Sequence, residues 1–486
     1  MNIVLASSEA FPFCKTGGLA DVVGALTQDF SRVKGAKVLL FLPRYRSIKS
    51  TSSLRTVPGT FFIPIGARLE PARVSYLKWG NALVFFIQSS KYFDRNDLYY
   101  SDGEDYKDND ERFIFFSRAV LEACKFIGFR PDVIHAHDWQ AGLIPAYLNT
   151  VYKTDAFFTR TRSMFTVHNI AYQGFFGRET FDKAGFFDAD FTYDKFEYWG
   201  GISYLKSGVV FADKVNTVSP SYARELLGGQ NSFGLEGVLK NKGSDFSGII
   251  NGIDNEIWDP QTDTLIPMGY DEESLKGKAM CKIALQKDLG FEQNENIPLI
   301  GMVSRLAPQK GVDLVADIIT RFAGKAQIVI EGKGDPKAEE IFERLAYLYP
   351  QTLAFKAIVN ETLAHKIYAA SDLFLMPSRF EPCGLSQMIA MRYGALPVVS
   401  KVGGLADTVE GYAEGKNQNT ATGFFIKTLD SDGIAAALEE ALYVWSNKEL
   451  RSKMIAAAML KNFSWEKSSD KYLKCFGEII KRGPKW

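Results

Sequence analysis

Leu373-Phe374-Leu375-Met376, continued by Pro377-Ser378-Arg379-Phe380-Glu381-Pro382-Cys383-Gly384-Leu385-Ser386-Gln387, sets the reading of the whole chain. Four apolar residues in a row read as a buried strand, the Pro- and Gly-bearing stretch as a turn, and the segment after Gly384 as a helix. Outward from this β-α unit the rhythm repeats. Residues 297–303, 326–331, 353–358 and 396–400 read as further buried strands, each followed by a polar or glycine-bearing turn and an amphipathic stretch. The first half of the chain has the same pattern, with strands expected at 3–6, 37–42, 82–88, 133–136, 162–167 and 214–218 and a helix over 111–126. Strands alternating with helices are the pattern of parallel α/β sheets. Two successive sets in 486 residues, too long for one core, predict two Rossmann-like domains facing one another across a deep cleft. The turn-rich stretch 251–260 places the seam, giving domains over 1–255 and 256–460 and an amphipathic helix in 461–486 that crosses back to the first domain.

Composition narrows the function classes. Lys plus Arg and Asp plus Glu both number 57, so the formal charge is zero, whereas a nucleic-acid-coating protein shows a basic excess. A neutral partner such as a polysaccharide fits, and no nucleic-acid partner is expected. The cysteines Cys14, Cys124, Cys281, Cys383 and Cys475 are scattered and never spaced C-x-x-C, which supports neither a disulfide framework nor a zinc site. The N-terminus Met1-Asn2-Ile3-Val4-Leu5-Ala6 lacks the basic flank and length of a signal peptide and reads as a first strand. No apolar run is long enough to span a bilayer, so a cytoplasmic address without a membrane partner is expected.

Three turns carry chemistry. Lys15-Thr16-Gly17-Gly18-Leu19-Ala20-Asp21-Val22 puts a glycine pair at a helix start beside a lysine. Free backbone N–H groups and the positive helix end suit a diphosphate there, although such pairs also serve as mere tight connections. The stretch is neither G-x-G-x-x-G nor a G-K-[ST] phosphate loop, against a dehydrogenase or a P-loop ATPase. Arg305-Leu306-Ala307-Pro308-Gln309-Lys310-Gly311 follows a strand, so its cations stand where open α/β sheets bind ligands, bidentate Arg305 beside point-charge Lys310. A solvated basic loop is the plainer reading. In the third turn Glu381 can accept hydroxyl hydrogen bonds, or else form a structural ion pair. His135-x-His137-Asp138 invites a metal reading, but the chain has only four histidines and no carboxylate cluster beside this pair; no metal is expected. Cys383 reads as a small buried turn residue rather than a reactive thiol.

These motifs, together with His135-Ala136-His137-Asp138-Trp139, Phe165-Thr166-Val167-His168-Asn169, Val218-Ser219-Pro220-Ser221-Tyr222-Ala223, Asn251-Gly252-Ile253-Asp254 and Gly403-Gly404-Leu405-Ala406-Asp407-Thr408-Val409, stand in the order of one family. The chain resembles bacterial glycogen synthases and plant starch synthases from its first strand to Phe463-Ser464-Trp465. The resemblance implies the two-Rossmann GT-B architecture and a metal- and cofactor-independent retaining transfer of glucose from a nucleotide sugar to an α-1,4-glucan such as glycogen or a maltooligosaccharide. It implies that Lys15, the Gly17–Gly18 backbone, Arg305 and Lys310 bind the donor's diphosphate. Glu381 would orient the glucose, with Cys383, Gly384, Leu385 and Ser386 adding contacts. His168 and Asp138 would lie near the anomeric carbon and the glucose hydroxyls, and Glu9, Asp21, Tyr99 and Asn251 in the donor-sugar and acceptor region.

Two positions depart from related enzymes. Ile389 stands where many glycosyltransferases carry a second glutamate, which glycogen synthases generally lack. Val359 stands where some bacterial synthases offer an aromatic ring to adenine, which weakens ADP-glucose relative to UDP-glucose; ADP-glucose, implied by the resemblance, leads and UDP-glucose is the alternative donor. A transferase acting on a small acceptor and a catalytically silent glucan-binding protein are the competing readings; the intact Lys15, His168, Arg305, Lys310 and Glu381 stand against the latter.

Overall fold

The computed structural model describes residues 1–49, 52–101 and 103–484. Two compact units emerge: Met1–Ile249 together with the segment from Trp465 onward, and Ile250–Ser464. The division falls at Ile249 because the next residues are held by the second unit's own backbone. There the Ile253 N–H donates to the Phe463 carbonyl at 2.8 Å.

In the first unit, Phe246–Gly248, Lys214–Thr217, Arg162–Val167, Val133–His137, Asn2–Ala6, Lys37–Pro43 and Ala82–Gln88 run parallel in that order. Ile3, Val4, Leu5 and Ala6 are fully buried, as a continuous apolar run in the middle of a two-faced parallel sheet must be. The six strands expected here all form. The sheet also has an antiparallel edge that buried runs do not predict, Arg68–Trp79 with Phe61–Ile65 and Arg55–Thr56, in which buried and exposed residues are mixed. The second unit is a wholly parallel sheet in the order Leu353–Lys356, Gln327–Glu331, Leu299–Val303, Leu373–Met376, Leu396–Ser400, Phe424–Ile426. The strand expected from 297 begins at Leu299, after Pro298, whose nitrogen has no hydrogen to donate to a ladder. Both units are thus α/β with parallel sheets, as the alternation of runs required. Among the described residues no helix is long and apolar enough to cross a membrane.

The amphipathic tail is the helix Trp465–Ile480 and belongs to the first unit. Its Phe476 ring lies 5.3 Å from Phe30 of the helix Gly18–Arg32, and its Tyr472 hydroxyl accepts from Asn216 Nδ2 at 3.0 Å. Lys214 and Glu478 close the edge of this contact at 2.9 Å. Phe476 is fully buried, so Phe476→Ala removes a ring from a filled core and is expected to cost about 3–5 kcal/mol in chemical denaturation. Lys471→Ala, on the exposed face of the same helix, should stay within about 0.5 kcal/mol.

Candidate functional site

Parallel strands deliver their C-terminal ends, and the loops attached to them, to one edge of a sheet. In the second unit three such loops meet there. Gly311, at φ 67°, lies where a Cβ would stand 2.2 Å from the Pro377 carbonyl oxygen. Gly403 and Gly404 lie where a Cβ would stand 1.9 Å from the Glu381 oxygen and 2.1 Å from the Cys383 oxygen. The Arg379 N–H donates to the Gln309 carbonyl at 2.8 Å, and Gln309 Nε2 donates to the Phe380 carbonyl at 3.0 Å. Glycine and backbone pairing therefore bring Arg305–Gly311, Ser378–Ser386 and Gly403–Gly404 side by side.

Their side chains form a charged cluster. Lys310 Nζ is 2.5 Å from Glu381 Oε2, and Ser378 Oγ donates to the same oxygen at 3.0 Å. Glu381 is 5% exposed. Its backbone turn continues into Gly384, at φ 71°, and the helix Ser386–Arg392. Arg305 is exposed on the neighbouring loop, after the strand Leu299–Val303. Arg379 points away and pairs with Asp313 through both guanidinium nitrogens, at 2.8 and 2.7 Å. Cys383 is buried, which pushes its thiol up to about 12, against a nucleophilic role. The Asn251 backbone N–H is directed at that sulfur, so Asn251 sits in this unit, buried, with its side-chain oxygen lacking a partner.

The first unit assembles two further groups. Glu9 organises the glycine loop: its carboxylate accepts from the backbone N–H groups of Thr16 and Gly17, from Thr16 Oγ1 at 2.7 Å and from the Tyr99 hydroxyl at 2.6 Å. Lys15 projects from that loop to Asp21 at 2.7 Å, its own side chain exposed and that of Asp21 partly so. Gly17 is the residue before the helix Gly18–Arg32, with nothing near the position of its missing Cβ. The second group follows the strand Val133–His137. Asp138, at φ 54°, accepts from the His168 backbone N–H at 2.7 Å and also from that of Asn169. Burial raises the Asp138 carboxyl to about 7, with Glu9 adding to the shift. His168 Nε2 lies 3.0 Å from His137 Nδ1, and burial lowers His168 to about 3, so the imidazole is neutral at ordinary pH.

His135 and His137 do share a face, their rings 4.0 Å apart, but His135 Nε2 engages Thr166 Oγ1 at 2.6 Å. Among the described residues no group of three or more His, Cys, Asp and Glu side chains is arranged to hold a metal ion. Motif reading did not single out Glu331, at the end of the strand Gln327–Glu331. One of its oxygens accepts from the Asn360 N–H at 2.6 Å while the other is buried without a partner. Burial raises this carboxyl to about 7. The signal was available as an acid closing an otherwise apolar strand, Gln327-Ile328-Val329-Ile330-Glu331.

Comparison with known proteins identifies the family. Residues 2–241 match the starch synthase catalytic domain, and residues 286–461 match glycosyl transferases group 1. The chain is 57% identical to the glycogen synthase of Elusimicrobium minutum over 99% of its own length and 100% of the relative's. It is 40% identical to that of Syntrophotalea carbinolica, with 99% of each covered. Among solved structures it is similar to the catalytic domain of starch synthase IV from Arabidopsis thaliana, a structure bound to ADP and acarbose, at a TM-score of 0.91, 32% identity and 99% coverage of both. A sucrose-phosphate synthase from Thermosynechococcus elongatus, at a TM-score of 0.62 and 18% identity over 99% of this chain and all of that one, shares the GT-B fold. The chain belongs to the glycogen synthase family and is a glucosyltransferase of glycogen and starch synthesis.

Proposed function

We propose that the enzyme transfers glucose from ADP-glucose to the non-reducing end of an α-1,4-glucan, with retention, in the cytoplasm. The observation that carries this reading is the Lys310–Glu381–Ser378 cluster, held at the C-terminal edge of a parallel sheet by loops in backbone contact. ADP in the similar starch synthase supports the adenine nucleotide. Breaking the bond from C1 to phosphate develops negative charge on the leaving diphosphate and positive character on the sugar. Arg305 and Lys310 offset the first, with Lys15 and the Gly17–Gly18 backbone adding charge and N–H donors. Lys310, paired with Glu381, turns to the phosphate as Glu381 takes the glucose hydroxyls. Asp138 and His168 hold the sugar, neutral His168 as donor or acceptor and not as a cation. Cys383, Gly384, Leu385 and Ser386 contribute backbone contacts, while Glu9, Tyr99 and Asp21 shape the loop that carries Lys15. The leaving phosphate itself takes the acceptor's proton, so no second carboxylate is required.

UDP-glucose is the second reading, favoured by one observation: Val359 is 85% exposed and offers no ring to a base. The decisive experiment incubates the enzyme with ADP-glucose or UDP-glucose plus maltotriose, following nucleotide release and chain length. Faster lengthening with ADP-glucose is expected. Release without lengthening would assign another acceptor, and no release from either donor would remove the reading.

Lys310→Ala should lower kcat by about 10²–10³ through loss of a preorganised charge, leaving glycogen binding unchanged. A pH profile checks Asp138. Only the ionised carboxylate accepts both N–H groups of the His168 segment, so kcat should rise through a midpoint near 7, and Asp138→Asn should flatten that step. The stability sign is opposite. The folded state keeps a proton that the unfolded chain, with its value near about 3.9, has released. The group's contribution to stability is therefore full in acid and is lost as pH rises through 7.

A further inference from the structure

Beyond His168 the chain enters a small three-stranded sheet, Phe175–Phe176, Gly201–Ser203 and Glu197–Tyr198, whose outer surface is aromatic. The hairpin joining Glu197–Tyr198 to Gly201–Ser203 closes through two residues, Trp199 and Gly200, at φ 49° and 80°. Positive φ at both centres is the requirement of a type I′ turn, which favours Asn, Asp or Gly at the first of them. A tryptophan there is a poor local choice, and it gains nothing from burial, because Trp199 is 79% exposed. Phe233 repeats the anomaly at φ 50° and 46% exposure, and its carbonyl accepts from the Tyr198 hydroxyl. Phe175, half exposed, packs edge-on against Tyr198 at 6.0 Å, and Tyr198 against Trp199 at 6.2 Å. Tyr193, 82% exposed, is fastened to the hairpin by Lys206, whose ammonium donates to the Tyr193 and Glu197 carbonyls.

The indole N–H is bonded to the Tyr198 hydroxyl, but its faces stay open, and where a local rule is broken for so small a gain to the fold the reason lies in what the surface meets. The charges around the ridge are already engaged: Lys206 with carbonyls, Lys195 with Asp190, and Glu197 with the Gly200 N–H at 2.8 Å. That leaves flat apolar rings among internally satisfied charges, a surface suited to a neutral ligand with apolar faces and hydroxyl edges. The ridge is also continuous with the candidate site. Phe176 lies 5.8 Å from Trp139, the residue after Asp138, and Gly174 lets the backbone lie against the same indole.

We infer that Phe175, Tyr193, Trp199 and Phe233 form a remote subsite that stacks the glucose rings of a long α-glucan acceptor. The inference rests on the proposed glucan-elongating function and deepens it: the ridge sets preference for polymer over short acceptors. A long chain reaches it while its end is being extended; maltotriose does not.

The test compares the full-length enzyme with Trp199→Ala, Trp199→Asn and the double variant Tyr193→Ala/Trp199→Ala. It measures KM for glycogen and for maltotriose, retardation in native gels containing glycogen, thermal stability and sedimentation. Expected are a rise of about tenfold in glycogen KM and loss of retardation, with maltotriose kinetics unchanged. Trp199→Asn, which suits the turn, should hold or raise thermal stability while losing glycogen affinity, a split that a structural role would not produce. Wild-type glycogen KM and retardation in these variants would overturn the subsite. So would a dimer that falls to monomer with glycogen KM unchanged, which would assign the ridge to a second copy of the chain. Failure of the wild type to lengthen either glycogen or maltotriose would instead remove the proposed function, while gel retardation would still read the ridge.

Discussion

The second unit depends on backbone approaching backbone at the C-terminal edge of its sheet. Three loops from three strands meet with carbonyl oxygens 1.9 to 2.2 Å from where the side chains of Gly311, Gly403 and Gly404 would begin. Even the smallest side chain at any of them would separate the loops. The contact does more than fill space. It fixes Lys310 on one loop against Glu381 on the next, so that the charged groups are positioned by main-chain geometry rather than by flexible stems. Electrostatic catalysis draws its strength from that kind of preorganisation.

The first unit solves a different problem, keeping polar chemistry inside a core. From the C-terminal helix, Tyr472 accepts from Asn216, whose side-chain oxygen accepts from Thr166, whose hydroxyl meets His135. His135 lies against His137, and His137 against His168. A charged imidazole at that depth would face a large desolvation cost, and burial accordingly lowers all three histidines. The C-terminal helix therefore does more than cover the sheet: it terminates a buried line of hydrogen bonds and one ring contact that ends beside Asp138.

Much of this was legible in the residues. Buried parallel strands leave continuous apolar runs, and every such run that was read as a strand is one, from Asn2–Ala6 to Leu396–Ser400. The motif glycines were legible as points of close approach, although the sequence did not say which carbonyl each would face. The antiparallel edge escaped because Arg68–Trp79 carries no apolar run and the short run Phe61–Ile65 is interrupted by Pro64. Glu9 was legible only as part of a family motif. That its carboxylate gathers the N–H groups of Thr16 and Gly17 depends on a loop closing over seven and eight residues, which no local period encodes. Glu331 is not legible as a site residue in the sequence because its meaning lies in burial and in one unpartnered oxygen, and burial of a strand's last residue is a property of its neighbours.

The Lys310–Glu381 pair then takes on a particular energetic meaning. The two side chains are 19% and 7% exposed, so each has lost much of its hydration. In that setting the attraction of a pair is largely offset by desolvation, and the pair contributes little to folding. Removing one partner alone is what costs, because the other is left charged and unsatisfied. Under the proposed function a nucleotide sugar supplies replacements for both at once, phosphate oxygens for Lys310 and hydroxyl groups for Glu381. On the proposed reading the exchange is close to neutral for bound substrate. It turns favourable as charge develops on the departing diphosphate, because Lys310 is by then already directed at it. The same pair thus becomes, without rebuilding the loops, the source of a differential interaction with the transition state.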